Sequence, residues 1–199
     1  PVIWPYLISE LGMTESQLGM VSAFYFMPVA ILAIVIGRAL DKYSVKNFMM
    51  IGAVIYAIGL FSLSFINSYW SLLTIYLTIL ALGSIMMGNL AVSKLIANWF
   101  DKNAGRALGI AAIGISFSGV MLPLIVDPLL ELVGWRNVYV FFASIVFFII
   151  LPLVFFTVID DPKAVNQVKD GVKKDDREEF IPEEMTAKAV SYTHLTLPT

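Results

Sequence analysis

The sequence contains no cysteine, a single histidine and few charged residues, which make up 14% of its 199 positions. The lack of cysteine excludes disulfides, thiol nucleophiles and thiolate metal sites. An H-E-x-x-H motif and a pair of aspartates inside an apolar run are also missing, and intramembrane proteolysis relies on side chains of these kinds. These absences predict a protein that is not an enzyme and that needs no metal or other cofactor.

Charge is absent from four long stretches of the chain, residues 17–37, 47–93, 107–126 and 137–159. About 20 apolar helical residues cross a bilayer core of ~30 Å, so the second stretch suffices for two spans and each other stretch for one. The composition agrees, because 59% of the residues are hydrophobic and the mean hydropathy is +0.84. The sequence therefore predicts an all-α membrane protein with the lipid bilayer as its surroundings.

Polar residues between these stretches set the predicted helix ends. Thr14 or Ser16 can cap the second helix, and Pro28 inside it is tolerated when neighbouring groups satisfy the freed carbonyl. The chain starts inside an apolar run, so we expect part of the first helix to be missing. The predicted helices are a truncated first helix over 1–9, a second over 17–40, a third over 46–66, a fourth ending near 100, a fifth opening within 101–106 and a sixth over 137–159.

Basic residues are concentrated in alternate links, which sets the predicted orientation. The second-to-third link, the fourth-to-fifth link and the segment after the sixth helix hold eleven of the thirteen Lys and Arg residues. By the positive-inside rule these segments are cytoplasmic, and the loops with Glu10, Glu15 and Trp135 face the opposite side. We expect an integral protein of a bacterial plasma membrane.

The composition changes abruptly after the sixth helix. Residues 160–189 hold nine acids and six bases, and mixed charge at this density is typical of a solvated linker. Residues 190–199 resemble the translation of a sequencing-library adapter and are set aside as non-native, which removes His194, the only histidine, from any functional role. The predicted organisation is a transmembrane domain over 1–159, a cytoplasmic linker over 160–189 and a non-native end.

A short basic segment between the second and third helices carries a family resemblance. It runs from Gly37 through Asp41 and Lys42 to Lys46, and it resembles the loop G-x-x-x-D-[RK]-x-G-x-[RK] of the major facilitator superfamily, with Ser44 in place of the second glycine. The alternative is an ordinary hairpin loop on the positive side of a membrane protein. The resemblance implies a twelve-helix fold of two six-helix halves, of which this chain is the N-terminal half. It also implies that the loop helps to latch one state of a transporter.

The fourth-to-fifth link adds a second resemblance. Trp99 and Phe100 are followed by basic residues and a glycine-rich helix, which is similar to monocarboxylate-transporter-like and oxalate–formate-antiporter-like members. Arg106 opposes the dipole of the fifth helix, so we expect it to pair with an acid such as Asp41 and to belong to the gating motif. Small residues on the fifth helix allow either static packing or a moving interface. Its predicted packing glycines are Gly105, Gly109, Gly114 and Gly119.

Three polar side chains are candidates for the transport path. Lys94 can contact an anionic substrate, or it can extend to the cytoplasmic headgroups or pair with a loop. Asn89, one turn deeper, can bind substrate or make an interhelical hydrogen bond. Asp127 can take up a coupling proton if it faces the cavity, or it is an exposed carboxylate at a helix end.

Together, these resemblances imply a secondary transporter that moves a small solute by alternating access. We expect the solute to be a small organic anion such as a monocarboxylate, moved with a proton or in exchange for a counter-anion. The other expected partner is the missing C-terminal six-helix half, and no nucleic acid is expected. The alternative is a six-helix scaffold or receptor module that does not transport, although such a module has no reason to carry both motifs.

Overall fold

The structure, a computed structural model, describes residues 2–171, and every regular element among them is helical. Four helical stretches are long and apolar enough to cross a membrane. The last of them, Ala104–Thr157, consists of two helices, because Gly134 has φ 75° and ψ 161°. Glycine adopts such a φ without steric cost, so this residue turns the chain between two spans. The helices are α1 Trp4–Leu11, α2 Glu15–Leu40, α3 Val45–Leu63, α4 Tyr69–Trp99, α5 over 104–133 and α6 over 135–157.

The predicted all-α membrane fold is confirmed, and the helix ends differ from prediction by a few residues. Helix α1 continues to Leu11, so Glu10 lies in a helix and not in the predicted loop. Helix α3 ends at Leu63, three residues earlier than predicted, and Ser64 is its C-cap. These differences arise at apolar residues near polar turns, where the absence of charge alone does not mark the last helical turn.

Side-chain caps explain where α2 and α3 begin. Thr14 Oγ1 accepts a hydrogen bond from Gln17 N–H at 3.2 Å, and Gln17 Oε1 accepts one from Thr14 N–H at 2.9 Å. This reciprocal capping box makes Thr14, rather than Ser16, the cap of α2. Ser44 Oγ accepts from Asn47 N–H at 3.2 Å and caps α3. The serine that replaces a glycine of the family loop therefore serves as a helix cap.

Helix α4 is the least regular span. Its turn Tyr76–Leu80 is a π-helix, and the backbone breaks at Gly88, where ψ is −154°. A Cβ at Gly88 would collide with the carbonyl oxygen of Ser84, so glycine is required there. π-helical turns are frequent at functional sites, which makes α4 a candidate element of the transport path.

Close backbone packing joins α3 to α4. A Cβ added at Gly83 would lie 2.7 Å from the backbone nitrogen of Tyr56, and one added at Gly52 would lie 2.7 Å from Cβ of Met86. Small residues allow helix backbones to approach in this way within lipid, where van der Waals contact drives association. The α3–α4 pair is thus the tightly packed centre of the bundle.

Two buried clusters hold the ends of the bundle. The cluster at the predicted outer end takes residues from all six helices, including Leu7, Leu18, Leu63 and Trp135. The cluster at the predicted cytoplasmic end takes buried residues from α2, α3, α4 and α6 only. Helix α5 is correspondingly open, and every residue from 112 to 120 is exposed. The bundle is therefore closed at one end and open along α5.

Candidate gating site and transport path

An ion pair links the loop after α2 to the span α4. Lys94 Nζ lies 2.6 Å from Asp41 Oδ1, and the two side chains are 34% and 67% exposed. Asp41 is the C-cap residue of α2, and Lys94 lies in the last helical segment of α4. Of the interpretations open for Lys94, the structure shows pairing with the loop. The pair joins two elements whose residues are 53 positions apart.

The predicted partner of Asp41 was Arg106, and this pairing is wrong in the structure. Arg106 is exposed in the first turn of α5, and the ion pairs found within residues 2–171 join Asp41 to Lys94 and Glu10 to Arg136. Lys94 pairs with Asp41 because α4 packs against α2 near Gly37. From there the flexible lysine side chain reaches the end of α2. A Cβ at Gly37 would lie 3.9 Å from Leu90, an ordinary contact distance.

The two lysines of the loop lie in different surroundings. Lys42 is exposed. Lys46 Nζ lies 4.9 Å from the ring centroid of Phe155, a cation–π contact to the end of α6. The Lys46 N–H also donates to Asp160 Oδ1 at 2.7 Å. The loop is thus attached to α6 and to the segment that follows it.

Two candidate residues of the transport path, Asn89 and Asp127, are exposed. Asn89 is exposed and directly follows the break at Gly88. Asp127 is exposed in α5 beside Pro128. A Cβ added at any of the four predicted packing glycines of α5 meets no atom of the described residues within 4 Å. The roles of these residues remain predictions, and the glycines leave a smooth, unfilled surface on α5.

Tyrosines within the spans form a polar cluster that the sequence reasoning missed. Tyr25 in α2 donates to Ser84 Oγ in α4 at 2.6 Å, and its ring meets that of Tyr76 edge to face at 6.1 Å. Tyr76 in α4 packs against the buried cluster that contains Tyr139 of α6. The only signal in the sequence was that these tyrosines lie inside charge-free runs rather than at their ends, where interfacial aromatic residues are usual.

A cavity borders this cluster. Its volume is about 350 Å³, and its lining includes Trp4, Ser22, Tyr76 and Tyr139 together with Gly119 of the small-residue stretch. Apolar walls with a few hydroxyl groups suit a small solute that needs orientation by hydrogen bonds. The lining of this cavity therefore offers neutral hydroxyl donors, and none of its residues carries a charge.

Glu10 holds together the end of the bundle that lies opposite the Asp41–Lys94 pair. Its Oε2 accepts from Trp135 Nε1 at 2.8 Å and from Arg136 at 3.1 Å. The guanidinium of Arg136 also stacks 4.1 Å from the Trp135 ring and donates to the Ile66 carbonyl at 3.2 Å. One acid therefore joins α1, the α3–α4 turn and the start of α6, a role that sequence spacing did not reveal.

Comparison with known proteins identifies the family of this bundle. The family profile of the Major Facilitator Superfamily matches residues 1–193. The chain belongs to this superfamily. Three relatives illustrate its range. MFS-type transporter 1 of Ophiocordyceps sp. (strain BCC 1869) is 28% identical to this chain over 124 residues, which are 62% of this chain and 27% of that protein. The riboflavin transporter MCH5 of Saccharomyces cerevisiae is 26% identical over 112 residues, 55% of this chain and 21% of that protein. The probable nitrate transporter NarT of Staphylococcus aureus (strain JH9) is 28% identical over 141 residues, 70% of this chain and 36% of that protein.

Membership in the Major Facilitator Superfamily confirms the predicted fold, and the superfamily consists of transporters rather than enzymes. The matches cover between 21% and 36% of these three relatives, so the chain spans about a third or less of their length. The names of two relatives state a solute, riboflavin in one and nitrate in the other. Two of the three relatives are fungal. A monocarboxylate as the solute and a location in a bacterial plasma membrane therefore remain predictions.

Proposed function

We propose that this member of the Major Facilitator Superfamily forms the N-terminal half of a secondary transporter that moves a small organic anion, such as a monocarboxylate, by alternating access. The ion pair between Asp41 and Lys94 carries the proposal, because it joins a cytoplasmic loop to a span that breaks at Gly88. Both side chains are partly exposed, so breaking the pair costs little and it can open and close as a latch.

The same lysine supports an anionic solute. While Lys94 is paired, Asp41 neutralises its charge, and when the latch opens the ammonium group becomes available to an anion. Lys42 and Lys46 keep the loop on the cytoplasmic side, with Arg106 at the neighbouring link adding to the positive field that attracts an anion. A relative named as a probable nitrate transporter is consistent with an anionic solute.

Coupling in this proposal uses either a proton or a counter-anion. Asp127 is the carboxylate that takes up the proton in the first case, and Asn89 and the tyrosine hydroxyls around the cavity orient the solute in both cases. The C-terminal half supplies the facing wall, against which the small residues of α5 move. Residues 160–189 are the cytoplasmic linker to that half. Most of this linker, with the end at 190–199, lies outside the described residues.

The test is solute counterflow with the full-length protein in proteoliposomes. A monocarboxylate, nitrate and riboflavin are offered in turn, with and without a proton gradient. We expect counterflow of the monocarboxylate and its loss on replacing Lys94 with methionine, whereas Lys163→Met serves as a matched control on the same side of the membrane. Counterflow of riboflavin alone would contradict the anion proposal. Absence of counterflow for every solute, in protein that unfolds cooperatively, would favour the scaffold or receptor alternative.

A further inference from the structure

The segment that follows α6 is bound to the cytoplasmic ends of three other helices. Helix α6 ends at Thr157, and the chain then runs through two short 3₁₀ turns, Pro162–Val165 and Lys169–Gly171. Pro162 is buried although it lies outside the spans. Composition alone predicts a solvated linker from residue 160 onward. The contacts of residues 159–170, which we call the strap, are those of a packed element.

The first part of the strap is bonded to α3 and α4. Asp160 Oδ1 accepts from the N–H of Lys46 in the first turn of α3 at 2.7 Å. The carbonyl of Asp160 accepts from Asn98 Nδ2 at 3.0 Å, and the carbonyl of Ile159 accepts from Trp99 Nε1 at 2.7 Å. Two adjacent strap residues, Ile159 and Asp160, therefore tie the start of α3 to the end of α4.

The last part of the strap is bonded to the link between α4 and α5. Asp170 Oδ2 accepts from the N–H groups of Asp101 and Lys102 at 2.9 and 2.7 Å, and Oδ1 accepts from Asn103 N–H at 3.3 Å. Lys169 Nζ donates to the carbonyl of Ala97 at 2.9 Å. Three consecutive backbone N–H groups converging on one carboxylate form a strong, directional anchor.

The backbone of the strap is shaped to make this contact. Asp170 has φ 59°, in the left-handed region, and so does Asn166 with φ 56°. Aspartate and asparagine are the residues other than glycine that tolerate this region best. The anchor therefore depends on both the carboxylate and the residue type.

We propose that residues 159–170 form a strap that fixes the cytoplasmic ends of α3, α4 and α5 relative to one another, and that Asp170 is the positioning residue that closes it. The strap holds the loop of Asp41 and the link of Arg106, both of which belong to the proposed gate. The linker is then a tether to the second half, and its first part, the strap, is anchored to the bundle. A displacement of that half is transmitted through the tether to the α4–α5 link.

The direct test is hydrogen–deuterium exchange of the full-length protein in lipid nanodiscs. In the Asp170→Asn variant, the amide groups of Asp101, Lys102 and Asn103 lose a charged acceptor, and we expect their exchange to accelerate by at least about fivefold. Asp161→Asn is the matched control, because the described hydrogen bond of that carboxylate is to Lys163 N–H within the strap. Unchanged exchange at 101–103 in the Asp170 variant would overturn the proposal.

A second measurement asks whether the strap influences transport, and it rests on the proposed function. We expect Asp170→Asn to change the maximal rate of counterflow while leaving the apparent KM for the solute unchanged, since the strap touches the gate and not the solute. Exchange that accelerates without a change in counterflow would retain the strap as a structural anchor and remove its role in gating. Absence of counterflow in the wild type contradicts the proposed function alone, because the exchange experiment does not require transport.

Discussion

Lys94 Nζ lies 2.6 Å from Asp41 Oδ1, which ties the cation of the fourth span to the residue that ends the second. Opposite charges at this distance attract strongly in a dry interior and weakly in water. Both partners are partly exposed, so solvent screens the pair and its contribution to stability is small. The effect of the pair is therefore expected on the population of transporter states rather than on folding.

A double-mutant cycle distinguishes Lys94 from Arg106 as the partner of Asp41. We expect Asp41→Asn and Lys94→Met to lower counterflow non-additively, because either change alone opens the latch. Asp41→Asn and Arg106→Gln are expected to act additively, since these residues do not touch. Stability should change by less than about 1 kcal/mol in each single variant. Additive effects of Asp41 and Lys94 would show that the pair does not operate in the gate.

The cap of α3 gives a prediction about folding. Ser44 Oγ accepts the N–H of Asn47 at 3.2 Å, so Ser44→Ala should lower the free energy of unfolding by about 1 kcal/mol. Ser44→Gly restores the residue of the family pattern and should cost only a few tenths of a kcal/mol. Thermal unfolding in detergent measures both. Equal stability of the alanine variant and the wild type would show that this cap is dispensable.

Whether the sequence predicts a structural feature depends on how far apart in the chain the residues that determine it lie. The spans were predictable because a charge-free run of about 20 residues has few alternatives to a membrane helix. The partner of Lys94 was not predictable, because it depends on how α2 crosses α4, and Asp41 lies 53 residues away. The tyrosine cluster was missed for the same reason, since its members come from different helices. The cap of α2 was narrowed to Thr14 or Ser16, because a helix cap depends on neighbouring residues only.

The hydrogen bonds of Glu10 predict that two substitutions of this residue lower stability by different amounts. Glu10→Gln keeps an acceptor for Trp135 Nε1 and loses only the charge that faces Arg136. Glu10→Ala also leaves the indole N–H of Trp135, a residue only 2% exposed, without its acceptor. We expect the alanine variant to lose about 1–3 kcal/mol of stability and the glutamine variant clearly less. Glu131→Gln, at an exposed position of α5, is the control, and equal losses in both Glu10 variants would contradict the role of the indole bond.

Packing between α3 and α4 predicts a strong effect at one glycine. A Cβ at Gly83 would lie 2.7 Å from the backbone nitrogen of Tyr56, and backbone cannot rotate away as a side chain can. Gly83→Ala should therefore cost about 1–3 kcal/mol by overpacking. At Gly19 in α2 a Cβ meets nothing within 4 Å, so Gly19→Ala should be neutral or stabilising. Thermal unfolding compares the two, and a neutral Gly83→Ala would mean that the helices separate at low cost.

The strap predicts a defined response to acid. Partial desolvation of the Asp170 carboxyl acts to raise its pKa, but hydrogen bonds from the N–H groups of Lys102, Asp101 and Asn103 prevail and hold that pKa below the ordinary value of 3.8. A carboxyl whose pKa is lower in the folded state stabilises that state above its unfolded pKa, and this contribution is lost as the pH falls through the folded pKa. Protection of the amides at 101–103 should thus be constant from about pH 8 to pH 5, after correction for intrinsic exchange, and should fall only below the ordinary carboxyl range. Loss of protection near pH 6 would assign the anchor to a different group, and any pH dependence of transport between pH 5 and 8 is expected to come from residues other than Asp170.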